Sequence, residues 1–459
     1  MMDQVKTTEN FTEGKILSPL VQFALPVLFA IFLQTMYGAV DMLVVGQFGS
    51  AADVSAVSTG SWMMQTITSA ITGLAMGVTI LLGQKIGEGK TGEAGDVIGA
   101  GICLFAAVAI GVTVLTEVFA VPFAQVMQAP TEAFDSTVEY VRICAGGSVF
   151  IVAYNVFGSI FRGMGNSKLP LIAVAIACVI NILGDLLLVG VFRMAAAGAA
   201  IATVAAQAVS VVLSLMILRR QQLPFAFDRS KLRFRGNLIG RIVRLGAPIA
   251  LQDVLVSISF LAITAIVNGL GVVISAGVGV AEKLCGFIML VPSAYMQSIS
   301  AFVAQNIGAK KPKRAQKALL YGILTSLAVG VLLGYFSFFH GDLMAGLFAK
   351  EADVIAVAAE YLKAYAIDCI FVSFLFCFIG YFNGCGSTTF VMIQGIAGSF
   401  GVRIPVSYLM SKRIPLSLFG IGLATPCSTV VQITLCGIWF FIQKKRLEKP
   451  ETELASSRL

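Results

Sequence analysis

Two carboxylates, Asp41 and Asp185, stand inside long apolar runs, with Asn181 four residues before the second of them and Thr203 in the next apolar run. An ionisable group in such a run costs roughly 2.5 to 3.5 kcal/mol on membrane-insertion scales, so it marks a candidate functional position. The four-residue spacing puts Asn181 and Asp185 on one face of a helix. Asp41 lies about five residues, or roughly 8 Å of helical rise, from the far end of its run. Asp185 sits at nearly the same depth, and Thr203 about six residues from the same end of its own run. Two carboxylates, an amide and a hydroxyl at one depth are oxygen groups suited to a proton or a small cation. Two such acids away from water do not both carry charge cheaply, so at least one should hold an exchangeable proton. Asn181 and Thr203 taken alone would equally suit ordinary hydrogen bonds between neighbouring helices.

The elements that must position these groups are membrane helices. Of 459 residues, 58% are hydrophobic and 12% charged, with a mean hydropathy of +0.90. That composition excludes an ordinary soluble protein with polar helix surfaces. Twelve apolar runs are expected as spans, near 18–45, 54–82, 95–117, 135–161, 168–190, 197–218, 243–268, 274–303, 317–339, 355–381, 388–410 and 420–442. Each is long enough to cross a hydrocarbon core of roughly 30 Å as helix. The short alternating segments of a membrane β-barrel are not seen. The start, MMDQVKTTENFTEGK, lacks the features of a signal peptide, so the first span is expected to be retained.

Charge orients the chain. Of the 32 Lys and Arg, 24 fall on one side of these spans, and Arg193, Lys350, Lys412 and Arg413 fall opposite. The positive-inside rule then places both termini and the basic segment 219–242 in the cytoplasm of a cell-membrane protein. The net charge of +8 is thus an orientation signal; contact with the lipid bilayer is expected, and no nucleic-acid partner.

An internal repeat divides the chain. Pro26 and Gly49 recur as Pro248 and Gly271, GQKIGEGK (83–90) as AQNIGAKK (304–311), and FRGMGNSK (161–168) as FNGCGSTT (382–389), at offsets of 221 or 222. The fold class is therefore an all-α polytopic membrane protein, twelve transmembrane helices in two homologous six-helix lobes related as a parallel repeat. The expected parts are a cytoplasmic segment 1–17, a first lobe 18–218, the linker 219–242, a second lobe 243–442 and a cytoplasmic tail 443–459. By the same offset Asp41, Asn181 and Asp185 meet Ile263, Val402 and Val406, so the acidic set belongs to the first lobe and the second is expected to be mainly apolar.

Other chemistry finds little support. GQKIGEGKT resembles a phosphate-binding loop, but five residues rather than four separate Gly83 from Gly89 and no strand precedes it. The nine cysteines show no metal-ligand spacing and one histidine, His340, leaves little for imidazole catalysis. No nucleophile–base constellation appears, so neither an enzyme nor a cofactor is expected. Gly73 and Gly77 form a GxxxG pair suited to helix packing. Pro26 and Pro248 are candidate helix kinks, because proline removes a backbone hydrogen bond and crowds the preceding turn. Lys283 against Asp368 or Glu282 would make an internal ion pair.

Nearly the whole chain resembles the multidrug and toxic compound extrusion (MATE) family. The resemblance rests on six plus six helices, Pro26 in the first span, VDMLVVGQFG, the repeated Q-x-I-G-x-x-K loops, FRGMGNSK and GAAIATVAAQ at 198–207. It implies an antiporter that exports organic cations or amphipathic compounds in exchange for protons or sodium ions by alternating access. In the DinF-like branch the ion site lies in the first lobe, and its pattern falls here on Asp41, Asn155, Asn181, Asp185 and Thr203. Asn155 enters through the resemblance alone. Another branch has a glutamate in span seven and an aspartate in span ten, positions held here by Val256 and Val372. Tyr37, Phe157, Phe287, Lys283 and Asp368 are candidate contacts for cargo in a cavity between the lobes, and two fused halves would complete a pathway in a monomer. A flippase for a lipid-linked anionic precursor is the alternative, but it should want several basic residues in the cavity.

Overall fold

A computed structural model describes residues 11–220 and 229–447. The expected segments 1–17, 219–242 and 443–459 therefore lie partly outside the described residues. Seventeen α-helices, with no strand among the described residues, run in the order α1 (Leu17–Phe48), α2 (Ala51–Gly87), α3 (Thr91–Val126), α4 (Phe134–Gly146), α5 (Ser148–Gly163), α6 (Lys168–Asp185), α7 (Ala195–Arg220), α8 (Gly236–Asn268) and α9 (Val272–Ile288). There follow α10 (Leu290–Gly308), α11 (Pro312–Phe339), α12 (Gly341–Gly346), α13 (Ala352–Gly384), α14 (Thr388–Gly398), α15 (Ile404–Ser411), α16 (Leu418–Gly422) and α17 (Ala424–Leu447). Among the described residues eleven helical segments are long and apolar enough to cross a membrane, and a bent pair makes a twelfth. The fourth span, expected over 135–161, is formed by α4 and α5 meeting at 55°. Gly146 and Gly147 stand at the break, and glycine is poor at holding a helix together.

The described residues pack into two compact units. The first is built from the chain up to Val254 together with Ala304–Ala309, and the second from Leu255–Val303 and Lys310 onward. In the first unit α2 is the central helix, with α3, α5 and the start of α8 around one apolar cluster that includes Val78, Leu81, Ile98, Phe157, Ile160 and Ile242. The start of α8 belongs here because Gly77 leaves no room for a side chain against the carbonyl of Ile242, and Gly246 none against that of Leu74. The GxxxG pair of α2 is thus a packing surface, as its spacing suggested. In the second unit α13 is central, and Ile263, Val278, Leu284, Tyr361 and Leu362 share a core. Ile263, the repeat partner of Asp41, is 1% exposed in that apolar core.

Local signals start and tie the helices. Ser50 caps α2: its backbone N–H donates to Asp53 at 2.9 Å, and its hydroxyl accepts from the Asp53 N–H at 3.3 Å. At the other end of α2 Lys85, though buried, bridges Glu88 at 2.9 Å and Glu93 at 2.8 Å. Burial pushes the Glu88 carboxyl up, but hydrogen bonds from Lys85 and Lys90 outweigh it and hold the group below its usual range. A carboxylate held low contributes stability above its ordinary range and loses it as pH falls through the folded value. Lys85→Gln should therefore lower the thermal midpoint at pH 7 and converge on the parent at acid pH; a pH-independent deficit in melting curves would contradict this.

Candidate functional site

Asp41, Asn181, Asp185 and Thr203 come together inside the first unit. Helix α1 packs along α6, and α6 along α7, which brings the residues of three helices to one place. The close approach of α6 to α7 depends on small residues: a side-chain carbon added at Gly184 would lie 3.0 Å from the Ala202 methyl, beside Thr203. Asp185 ends the regular part of α6, and a π-helical turn, Leu186–Val191, follows it. Such turns free backbone geometry locally and recur at functional sites.

The hydrogen bonds form a short chain. The Asn181 amide donates to the Thr203 hydroxyl at 3.4 Å, and that hydroxyl donates to Oδ2 of Asp41 at 3.2 Å. The two carboxyl groups are polar neighbours in this cluster. Asp41 is 4% exposed, Asn181 1% and Asp185 0%. Oδ1 of Asp41, Oδ1 of Asn181 and both carboxylate oxygens of Asp185 have no donor in the protein. Buried polar atoms are costly when unpartnered, so four orphaned oxygens around one point form a site that is incomplete by itself. A proton shared by the carboxyls would complete it, and so would a small cation accepting oxygen ligands. No cluster of three or more His, Cys, Asp or Glu that would hold a transition metal occurs among the described residues.

Asn155 is placed differently. It is buried on α5, its amide donates to the Ile151 carbonyl at 2.8 Å, and its Oδ1 accepts from the Thr72 hydroxyl at 2.9 Å. It is therefore bonded to α2 rather than into the chain around Asp41. Tyr37 lies one helical turn before Asp41, half-buried, with Gln34 and Gln207 at its hydroxyl. Thr72, Gln34 and Gln207 were not singled out from the sequence. The one signal was their polarity within apolar spans, which is too common to separate them from other packing groups.

The remaining candidates divide between the units. Phe157 is a core residue, 7% exposed, in the first apolar cluster. In the second unit Phe287 is half-buried and tilts against Phe348 with centroids 6.5 Å apart, while Lys283 is exposed. Asp368 is 1% exposed on α13, with Thr429 and Arg403 as polar neighbours. The Arg403 guanidinium stacks over Phe260 at 4.4 Å and donates to Ser259 at 3.1 Å. The second lobe, expected to be mainly apolar, thus holds a buried charged group of its own. Pro26 and Pro248 both lie within continuous helices, α1 and α8.

Comparison with known proteins bears on this arrangement. The family model MatE matches residues 26–187 and again residues 248–409. The two matched stretches start 222 residues apart and end 222 apart, the offset of the internal repeat. The probable multidrug resistance protein YpnP of Bacillus subtilis (strain 168) is 26% identical over 415 residues, covering 90% of this chain and 93% of its own. The probable multidrug resistance protein YoeA of the same organism is 24% identical over 447 residues, 96% of each chain. Among solved structures, an outward-facing multidrug resistance MATE family transporter of the MOP superfamily superposes with a TM-score of 0.90, over 97% of this chain and 100% of that one, at 18% identity. At that identity the likeness is one of fold, the all-helical two-lobe membrane architecture.

Proposed function

The chain belongs to the MatE family of membrane efflux transporters, and from that premise we propose that it is a secondary active antiporter. It exports organic cations or amphipathic compounds in exchange for protons or sodium ions, using a first-lobe ion site of the DinF-like kind. The observation that carries this is the group of four unpartnered buried oxygens on Asp41, Asn181 and Asp185. An ion entering there bridges α1, α6 and α7, so its binding differs between any two states in which those helices are arranged differently. Coupling requires that difference, because an ion bound equally well by both states shifts nothing however tightly it binds. Helix α1 carries both Asp41 and Pro26, and a proline within a helix is a place where it can bend at small cost.

Cargo is a small amphipathic or cationic molecule, with Tyr37, Phe157, Phe287, Lys283 and Asp368 as candidate contacts. The transporter works in the plasma membrane as a monomer, with both termini cytoplasmic, and needs no cofactor beyond the coupling ion. Arg403, one of the few basic residues deep in the spans, is engaged by Phe260 and Ser259, which argues against a phosphate-binding role and hence against the lipid-precursor flippase.

The test is efflux of a fluorescent organic cation from proteoliposomes under an imposed proton gradient and, separately, a sodium gradient. Efflux driven by either one supports the antiporter and identifies its ion. Absence of efflux under both, with folded protein, moves the flippase to first place. Thr203→Val removes both hydrogen bonds of that hydroxyl, from Asn181 and to Asp41, each worth about 1 kcal/mol, so the ion concentration for half-maximal rate should rise between about fivefold and about thirtyfold. An unchanged half-saturation value would remove Thr203 from the ion site.

A further inference from the structure

One residue just ahead of the first span, Phe11, is buried as deeply as the core. Phe11 precedes α1 yet is 0% exposed, and its ring meets Phe23 of α1 edge-on, with centroids 5.2 Å apart and planes at 88°. Gly14 takes a left-handed φ of +68°, a turn that folds Phe11 back toward α1 and that a side chain would strain. The Phe11 carbonyl accepts a hydrogen bond from the Asn306 amide at 3.0 Å, and Asn306 is 0% exposed near the end of α10. The short segment therefore ties the start of α1 to the second of the two repeated loops.

That second loop is in turn locked to the first. Gly87 leaves no room for a side chain against the Gln305 carbonyl, and Gly308 none against the Gln84 carbonyl. Gln84 and Gln305, like Gly87 and Gly308, are repeat partners 221 residues apart. The contact is thus reciprocal, each loop offering a carbonyl to the other's glycine. The Gln305 side chain adds a hydrogen bond to the Gly163 carbonyl at 3.0 Å, at the end of α5. Lys85, Lys90, Lys310 and Lys311 mark this end as the one that the positive-inside rule assigns to the cytoplasm.

We propose that Phe11–Lys15 is a strap that holds the cytoplasmic end of the transporter closed, and that Phe11 must leave its slot each time this end opens. The proposal rests on the alternating-access reading, in which the ends of α1, α2 and α10 separate to admit cargo. Phe11 and Asn306 fasten what the glycine contact brings together: the glycines set how closely the backbones approach, and the strap sets how readily they part. Its burial gives the closed state an interaction that the open state lacks, which is what a conformational bias requires.

Two measurements on the full chain test this, both with the nine native cysteines replaced. Phe11→Cys and Asn306→Cys are joined by a short bifunctional methanethiosulfonate in proteoliposomes. Crosslinking is expected to arrest gradient-driven efflux, and reduction to restore it; efflux at the parental rate with the link intact overturns the proposal. In the second, Ala304→Cys, at a position 0% exposed beside Gly83, reports opening through labelling by a membrane-impermeant maleimide. Phe11→Ala should accelerate labelling about tenfold and Phe11→Leu much less, since Leu refills most of the slot. Equal labelling of parent and Phe11→Ala also overturns the strap. Labelling needs no transport, so a parent that fails to transport counts against the antiporter while the strap is still judged on labelling alone.

Discussion

Asp185→Asn is expected to abolish gradient-driven efflux. Asp185 is 0% exposed and neither of its oxygens has a donor in the protein, so of the four polar residues it has the most unmet hydrogen-bonding capacity. The amide keeps its shape, removes its charge and brings its own donor. In the variant the amide can donate to Asp41, which satisfies oxygens that an ion would otherwise have to satisfy. A site completed from within no longer distinguishes loaded from empty, and the two conformations lose the difference in ion affinity on which coupling depends. The efflux rate should fall at least about tenfold, to the level of protein-free liposomes, under whichever gradient drives the parent. Stability should hold or rise, because removing an uncompensated buried charge relieves a cost. Thermal unfolding in detergent therefore separates loss of coupling from loss of fold. Undiminished efflux in a stable Asp185→Asn protein would move coupling out of the first unit, and Asp368 would become the next acid to test.

Arg403→Met is expected to be the most destabilising change in the second unit, and Asp368→Asn to rescue it. Arg403 is the cation whose field reaches Asp368, and both are buried. Removing the guanidinium takes the nearby cation from Asp368 and the donor from Ser259, a loss of about 1 to 3 kcal/mol for buried polar groups left unsatisfied. The stacking on Phe260 disappears as well. Neutralising Asp368 in the same protein removes the part of that loss that comes from its charge. Thermal midpoints of the two single variants and the double should show strong non-additivity. If the two effects simply add, Arg403 and Asp368 are independent and the charged group is not a unit.

Much of this architecture was legible in order along the chain. Apolar runs of membrane length, the sidedness of Lys and Arg and the constant offset between Pro26 and Pro248 are properties of one-dimensional spacing. The bilayer makes them decisive, since every backbone group inside it must be satisfied within its own helix. The same logic singled out Asp41 and Asp185, because a charge in an apolar span is expensive wherever the span finally packs. The four-residue spacing of Asn181 and Asp185 needed only helical periodicity.

Contacts between helices were decided by packing alone. No spacing rule could tell that Asn155 would bond Thr72 rather than the acids, because the choice depends on how α5 rotates against α2. The break at Gly147 was equally hidden: two glycines in an apolar run permit a bend but do not require one. Arg403 near Asp368 pairs residues on different helices, which no local pattern records. The burial of Phe11 is the clearest case. Its segment is polar by composition, yet a turn at Gly14 and one amide from Asn306, nearly three hundred positions away, bring Phe11 into the interior. Sequence by itself determined which elements form and where charge is expensive, since those follow from neighbours along the chain and from the solvent. Tertiary structure decided which polar groups meet and which remain unpartnered, since that depends on side chains brought together from distant helices.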